Sequence, residues 1–210
     1  MRPDLQLNPF HVSYHYNAAP AIMKKQLIEH INRFVPVSDQ LRERLIDISE
    51  LKTIDKGRFL HRPYRICNYT YFIISGLVRL YYKKKEKEIT DKFSAEGDWI
   101  TSVQSFMKNV PDYFYIQTLE KSELIAININ DLQECFKDFP EMEKFGRILM
   151  STYYVEQSER IISLRFHSAK ERYEYFCKMS KIKTSRLSLG MLASHLGITQ
   201  ETLSRIRAEK

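Results

Sequence analysis

The chain is poor in the features around which most metal, disulfide and phosphate sites are built. Its 210 residues include three cysteines, six glycines and one tryptophan. Cys67, Cys135 and Cys177 stand far apart and form no C-x-x-C pair. Such an odd, scattered set argues against a disulfide framework or a structural zinc. The three read as reduced thiols with small structural roles. His11, His15, His30, His61, His167 and His195 are equally scattered and read as structural or surface side chains. No Gly-rich phosphate loop, metal-spaced cluster or nucleophile–base constellation stands out, so catalysis has no named residue to rest on and no cofactor or metal is expected. No apolar run approaches a membrane span, and the N-terminus has no signal-peptide core. A soluble cytoplasmic protein, not an enzyme, is the expectation.

What is present is an ample core and a localised charge. Apolar residues make up 43% of the chain, with 13 Tyr and 12 Phe. The net charge of +7 sits in one place: residues 160–210 carry 11 Lys+Arg against 4 Asp+Glu, and residues 1–159 are neutral. A basic segment on a neutral body is the electrostatic footprint of nucleic-acid binding.

Residues 1–22 hold Pro3, Pro9 and Pro20 among Asn, His and Tyr, show no period, and read as a poorly ordered extension. Met23 opens a periodic stretch (Leu27, Ile31, Phe34) and could serve as an alternative start. Ser38 then caps a helix carrying Leu41, Leu45 and Ile48. From Leu51 the period shortens. β-branched and aromatic runs at 53–61, 69–82, 89–93, 113–119 and 123–127 are parted by turn residues, among them Ser75-Gly76 and Gly97-Asp98. The run Lys83-Lys-Lys-Glu-Lys-Glu88 reads as a solvated hairpin tip. This spacing predicts an antiparallel sandwich or roll.

Helices return at Asn130. Pro140 opens a stretch to Phe166 with two apolar edges, one through Phe145, Ile148, Thr152, Val155 and Ile162, the other through Leu149, Tyr153 and Ile161. Two edges need two partners, one of which in a homodimer is the same helix of the other subunit. The chain ends in a two-helix signature. Leu192 and Leu196 share a face, Gly197 breaks the helix, Thr199 caps the next, and Leu203 and Ile206 form its buried side. Gln200, Glu201, Ser204, Arg205 and Arg207 are left outward, as side chains reading a major groove are, which makes this a helix-turn-helix. The competing reading is a helical hairpin that packs on something else.

The order of an N-terminal β-roll, a long amphipathic helix and a basic C-terminal helix-turn-helix resembles the Crp/Fnr family of bacterial transcription regulators over residues 23–210. The most specific parts are Tyr71-Phe-Ile-Ile-Ser-Gly-Leu-Val-Arg79 and Glu201-Thr-Leu-Ser-Arg205. The resemblance implies an α+β protein with a cyclic-nucleotide-binding-like effector domain at 23–139, a dimerisation helix at 140–166 and a DNA-binding domain at 167–210. By the resemblance Glu201 and Arg205 contact bases of double-stranded DNA; Thr199, Gln200, Thr202 and Ser204 share that expected DNA-binding face, and Arg207, Lys181, Lys183, Arg186 and Lys210 are expected to contact phosphates. Phe145, Ile148, Leu149, Thr152, Val155 and Ile162 would form the homodimer interface, and RNA polymerase is a further candidate partner. An effector pocket would draw on Gly97-Asp98, Asp112-Tyr113 and the Gln157-Ser158 pair. Where the family places an arginine for the cyclic phosphate, this sequence has Asp112, and no arginine occurs between Arg79 and Arg147. A cyclic-AMP effector is therefore not expected; an unknown small molecule, or none, is. Family members also continue into a β wing, whereas this sequence stops at Lys210. The alternative function is a sensor module whose C-terminal helices dock a protein, and the salt dependence of DNA affinity separates the two.

Overall fold

The computed structural model describes residues 18–209. Helix α1 (Ala18–Asn32) begins inside the segment expected to be an extension, so residues 18–22 are helical instead. Ala18, Ala19 and Ala21 favour helix, and Pro20 is tolerated in a first turn. Residues 1–17 lie outside the described residues. Ser38 caps α2 (Asp39–Ile48), its hydroxyl accepting from Leu41 N at 3.3 Å, and Leu41, Leu45 and Ile48 are buried.

Eight strands follow: β1 (Glu50–Ile54), β2 (Phe59–His61), β3 (Tyr69–Ser75), β4 (Val78–Lys84), β5 (Lys87–Ser94), β6 (Trp99–Ile100), β7 (Phe114–Thr118) and β8 (Ser122–Asn128). They form two four-stranded antiparallel sheets, ordered β1-β8-β3-β6 and β2-β7-β4-β5. Gly76 turns β3 into β4 at φ +106°, where a Cβ would collide with Ser122. The charged tip is a two-residue hairpin, with Lys85 and Glu86 both at positive φ. Ile73, Val78, Leu80, Ile116, Leu124 and Ala126 fill the space between the sheets. A short helix α3 (Val103–Lys108), which the sequence reading did not assign, interrupts the roll between β6 and β7. One and a half turns are too few to show a period.

Asn128 caps α4 (Ile129–Asp138), and Pro140 occupies the first turn of α5 (Pro140–Phe166). The start of α5 joins α1, α2 and α4 on the outer face of the first sheet, burying Met142 and Phe145 against Phe72, Ile125 and Ile127. Beyond it come α6 (Ala169–Met179), closed at its start by a Ser168–Glu171 capping box, α7 (Leu189–Leu196) and α8 (Gln200–Ala208). Tyr173, Ile182, Leu187, Leu192, Leu196, Leu203 and Ile206 share one core with Leu77, Phe93 and Ala95 of the roll. The C-terminal helices thus rest on the roll through apolar contact. No described helix is long and apolar enough to cross a membrane.

Candidate nucleic-acid interface and effector cavities

The turn between α7 and α8 follows from its residues. Gly197 adopts φ +66° and ends α7 in the left-handed region, its N–H returning to the Ala193 and Ser194 carbonyls. Thr199 Oγ1 accepts from Thr202 N at 3.1 Å and starts α8. Its hydroxyl also bonds Glu201 and, with the main chain, holds that carboxyl below its ordinary range. Leu203 and Ile206 are buried, whereas Gln200, Glu201, Ser204 and Arg205 are exposed on the opposite face. Gln200 lies across the turn toward Gly190, where a Cβ would come within 3.1 Å of its Nε2.

Thr199 and Thr202 serve the cap, so their hydroxyls are turned to each other at 3.1 Å. Arg207 is half-buried, its guanidinium 5.8 Å from the Tyr173 ring centre, so it packs on α6 instead of standing free beside Arg205. Two of the expected phosphate contacts are also engaged elsewhere. Arg186 bonds Glu120 Oε2 at 2.6 Å and Glu96 at 3.0 and 3.1 Å, and Lys181 Nζ lies 2.7 Å from Asp98 Oδ1 and 2.8 Å from the Glu96 carbonyl. Hydrogen bonding from Arg186 holds Glu96 down to about 2. These cations fasten the C-terminal domain to the roll. Lys183 is exposed, and Lys210 lies outside the described residues.

On α5 the expected interface residues divide. Phe145 is buried in the protomer's own core, its ring 5.9 Å from Trp99 and 5.8 Å from Phe34, which removes it from any surface. Ile148 and Leu149 pack partly against the same core. Thr152 is exposed, and Val155 and Ile162 are each 52% exposed although apolar. Tyr154 at 72% and Phe166 at 78% extend the open face.

The expected effector residues do not converge on one cavity. Gly97 and Asp98 form the turn from β5 to β6, where Asp98 Oδ2 accepts from Ala95 N at 2.8 Å and the other oxygen holds Lys181. They line a cavity of about 160 Å³ against Trp99 and Thr152. Gln157 lines a different one of about 340 Å³, between α5, α6, α7 and β5. Ser158, the next residue on α5, is half-buried and turned about 100° from Gln157. Asp112 is buried, with His61 at 3.0 Å, Phe114 N at 2.9 Å and the Ser102 hydroxyl on its carboxylate, so it does not face a ligand. Tyr113 is 50% exposed and stacks on Phe114 at 4.7 Å. Tyr115 stacks on Tyr81 at 4.8 Å, and Phe114 lines a further cavity. That cavity, about 490 Å³ against α3 and Tyr153 of α5, is lined by Asp91, Ser102, Gln104, Met107 and Lys108 among others. Asp91 is the residue the sequence did not single out. Burial raises its carboxyl, with Arg160 and Lys92 only partly offsetting.

Residues 51–139, β1 through α4, match the family model of the cyclic nucleotide-binding domain. No curated protein matches the sequence. Several solved structures share the fold. The c-di-GMP responsive global regulator CLP of Xanthomonas campestris is 19% identical, with a TM-score of 0.65 over 80% of this chain and 88% of its own. FixK2 of Bradyrhizobium japonicum is 14% identical, with a TM-score of 0.67 over 77% and 84%. A protein of Eubacterium rectale described as a transcriptional regulator of the crp/fnr family is 19% identical, with a TM-score of 0.65 over 82% of each chain. The roll therefore matches the cyclic nucleotide-binding domain over these residues. Over about four-fifths of its length the chain shares the fold of these solved structures.

Proposed function

We propose that the chain is a sequence-specific DNA-binding transcription regulator that works as a homodimer and does not respond to cyclic AMP. The observation that carries this reading is the two-sided character of α8. Leu203 and Ile206 anchor it, while Gln200, Glu201, Ser204 and Arg205 are presented together to solvent. A helix-turn-helix with such a face, in the domain that holds most of the charge excess, suits reading base edges in a major groove. Exposed Val155, Ile162 and Phe166 on α5 supply the apolar face that a second copy would cover. The solved neighbours include proteins named as regulators, which supports a regulatory reading over an enzymatic one.

Selection of bound sequences from a random DNA pool by the purified protein tests the proposal. The expected product is a palindrome with half-sites about 34 Å apart, one turn of DNA. A pool that shows no enriched sequence, with binding insensitive to salt, would point to a protein partner for the C-terminal helices.

A further inference from the structure

One polar cluster in the roll takes no part in the DNA-binding reading. His61 at the end of β2, Cys67 in the loop before β3 and Asp112 before β7 converge there, although His61 and Asp112 are 51 positions apart. His61 Nε2 lies 3.0 Å from Asp112 Oδ1, and the imidazole and the Cys67 side chain line the same cavity. Asp112 accepts from Ser102 Oγ and from Phe114 N as well, which fixes its position and, through it, the ring. Cys67 is pinned by its own N–H on Ser105 Oγ at 2.8 Å, and its sulfur lies 3.5 Å from Thr101 Oγ1 and 3.4 Å from the Tyr69 carbonyl. Cys67 and His61 line one cavity, with Asp112 bonded to the ring, so that a nucleophile, a base and an orienting carboxylate are gathered in one cluster.

The charge state follows from these contacts. Burial is the largest influence on Cys67 and would raise its thiol. Hydrogen bonds from His61, Thr101 and the main chain at Ser102 outweigh it and hold the thiol below its ordinary value. Burial likewise opposes charge on His61, but its bonds to Cys67 and Asp112 hold it above. The thiol is thus lowered and the imidazole raised, each shift running in the direction of the charged form. Tyr71, the other titratable side chain that senses the sulfur, is pushed up by burial and stays protonated. Cys135 is the contrast: burial raises its thiol to about 11, and the Arg44 charge offsets this only in part. A cavity of about 310 Å³ opens beside the cluster, lined by His61, Cys67, Phe59, Tyr69, Arg62 and Arg65. It has room for several water-sized molecules, each of which takes about 30 Å³ in the liquid.

We propose that Cys67, His61 and Asp112 form a thiol centre that reacts with small hydroperoxides and is converted to the sulfenic acid. The sulfur attacks the hydroxyl oxygen of the hydroperoxide; an S–O bond forms and the O–O bond breaks. Sulfur gives up two electrons, and they leave on the departing oxygen. His61 delivers its proton to that oxygen, so the products are Cys67–SOH and one water or alcohol. Asp112 acts as the positioning residue for His61. None of the three lies on α5 or α8, so the centre stands or falls independently of dimerisation and DNA binding.

The full-length protein is treated with hydrogen peroxide at pH 7, sulfenic acid is trapped with dimedone, and each cysteine peptide is quantified by mass spectrometry. Cys67 is expected to be trapped at least tenfold faster than Cys135. His61→Gln and Asp112→Asn are each expected to slow Cys67 at least tenfold and leave the exposed Cys177 unchanged. A wild-type measurement guards against variants that fail to fold: the pH profile of Cys67 alkylation by iodoacetamide should reach half-maximum at lower pH in the native protein than in urea. A native Cys67 that resists both reagents but reacts in urea would overturn the proposal. So would equal trapping of Cys67 and Cys135, or a folded His61→Gln protein that reacts at the wild-type rate.

Discussion

Arg160 of α5 donates from Nη1 to the main-chain carbonyl of His195 at 3.1 Å and lies 3.0 Å from Nδ1 of the same residue's ring. The second guanidinium nitrogen reaches the Thr90 carbonyl at 3.3 Å. One side chain thereby joins the long helix α5, helix α7 and strand β5. The neighbouring Ser194 hydroxyl completes the seam, accepting from Thr90 N at 3.0 Å and donating to the Glu88 carbonyl at 2.8 Å. Burial, helped by the Arg160 charge, lowers His195 to about 3, so the ring is neutral at physiological pH.

That neutrality makes an acid dependence predictable. Between pH 6.5 and about 3 the unfolded chain takes up a proton at residue 195 that the native protein refuses. Stability held above pH 6.5 is therefore lost as pH falls through this window. His61 works in the opposite sense, since its raised value adds stability at low pH that is lost as pH rises. Its contribution cancels when wild type is compared with His195→Gln. In urea unfolding around pH 5, the variant's stability should fall less steeply with acid, by about 1.4 kcal/mol per pH unit. Parallel curves would show that His195 is protonated in the native state.

The basic residues of the C-terminal domain divide into two functional sets, which DNA binding can separate. Arg205→Ala should cost about 1–3 kcal/mol on a selected site and relax preference at one base pair, as loss of a bidentate base contact does. Arg186 instead spans Glu96 and Glu120 on the roll, in a pair more than one-third exposed on the carboxylate side. Solvent screening keeps that contribution to stability to about 1 kcal/mol or less. Arg186→Ala should therefore leave the salt slope of DNA affinity unchanged, whereas removing a true phosphate contact lowers it by about 1. A reduced slope in Arg186→Ala would show that the Glu96–Glu120 bridge opens when DNA binds.

How far the sequence carried is itself explained by range. The roll's hairpins are written locally, in Gly76 at a position no side chain fits and in the two-residue tip at Lys85-Glu86. The helix-turn-helix is local too, since Gly197, Thr199, Leu203 and Ile206 act within a few residues of one another. Features that depend on distant segments were not legible. Nothing near Arg186 in the chain announces Glu96 or Glu120, and nothing near His61 announces Asp112. Phe145 fits the apolar edge of α5 as well as Val155 does. Only the packing of α1 and the first sheet shows which of the two is covered.

Dimerisation can be tested on the part of α5 that the protomer leaves open. Val155 and Ile162 are half-exposed apolar side chains seven positions apart, so they lie on one helical seam. Val155→Glu or Ile162→Glu removes little from the protomer's own core but places a charge in the centre of a paired seam. Either variant should sediment as monomer in analytical ultracentrifugation, with a melting temperature near wild type and lost affinity for a palindromic site. Monomeric wild-type protein at micromolar concentration would contradict the assignment, as would a dimer unaffected by both substitutions.

The proposed lack of a cyclic-AMP response is supported by the cavities and can be tested directly. A cyclic phosphate needs a cation positioned in an enclosed site, and a guanidinium serves best because it meets two oxygens at once. No arginine lies between Arg79 and Arg147 in the sequence. Arg79 is buried and spent on Glu88 at 2.8 Å and Gln117 at 3.2 Å, with its guanidinium over the Tyr81 ring. Asp112 takes no part in a phosphate site, because its carboxylate is already bonded inside the roll. What discourages a phosphate is the cavity beside α3, which offers Lys108 as a point charge but also has Asp91 in its lining. Apolar Leu80, Met107 and Phe114 complete much of its lining, which suits a neutral and more apolar guest or none. Calorimetric titration with cyclic AMP and cyclic GMP should show no binding at micromolar concentration, and DNA affinity should be the same with and without either nucleotide. Micromolar binding coupled to a tenfold gain in operator affinity, about 1.4 kcal/mol of coupling, would overturn this conclusion.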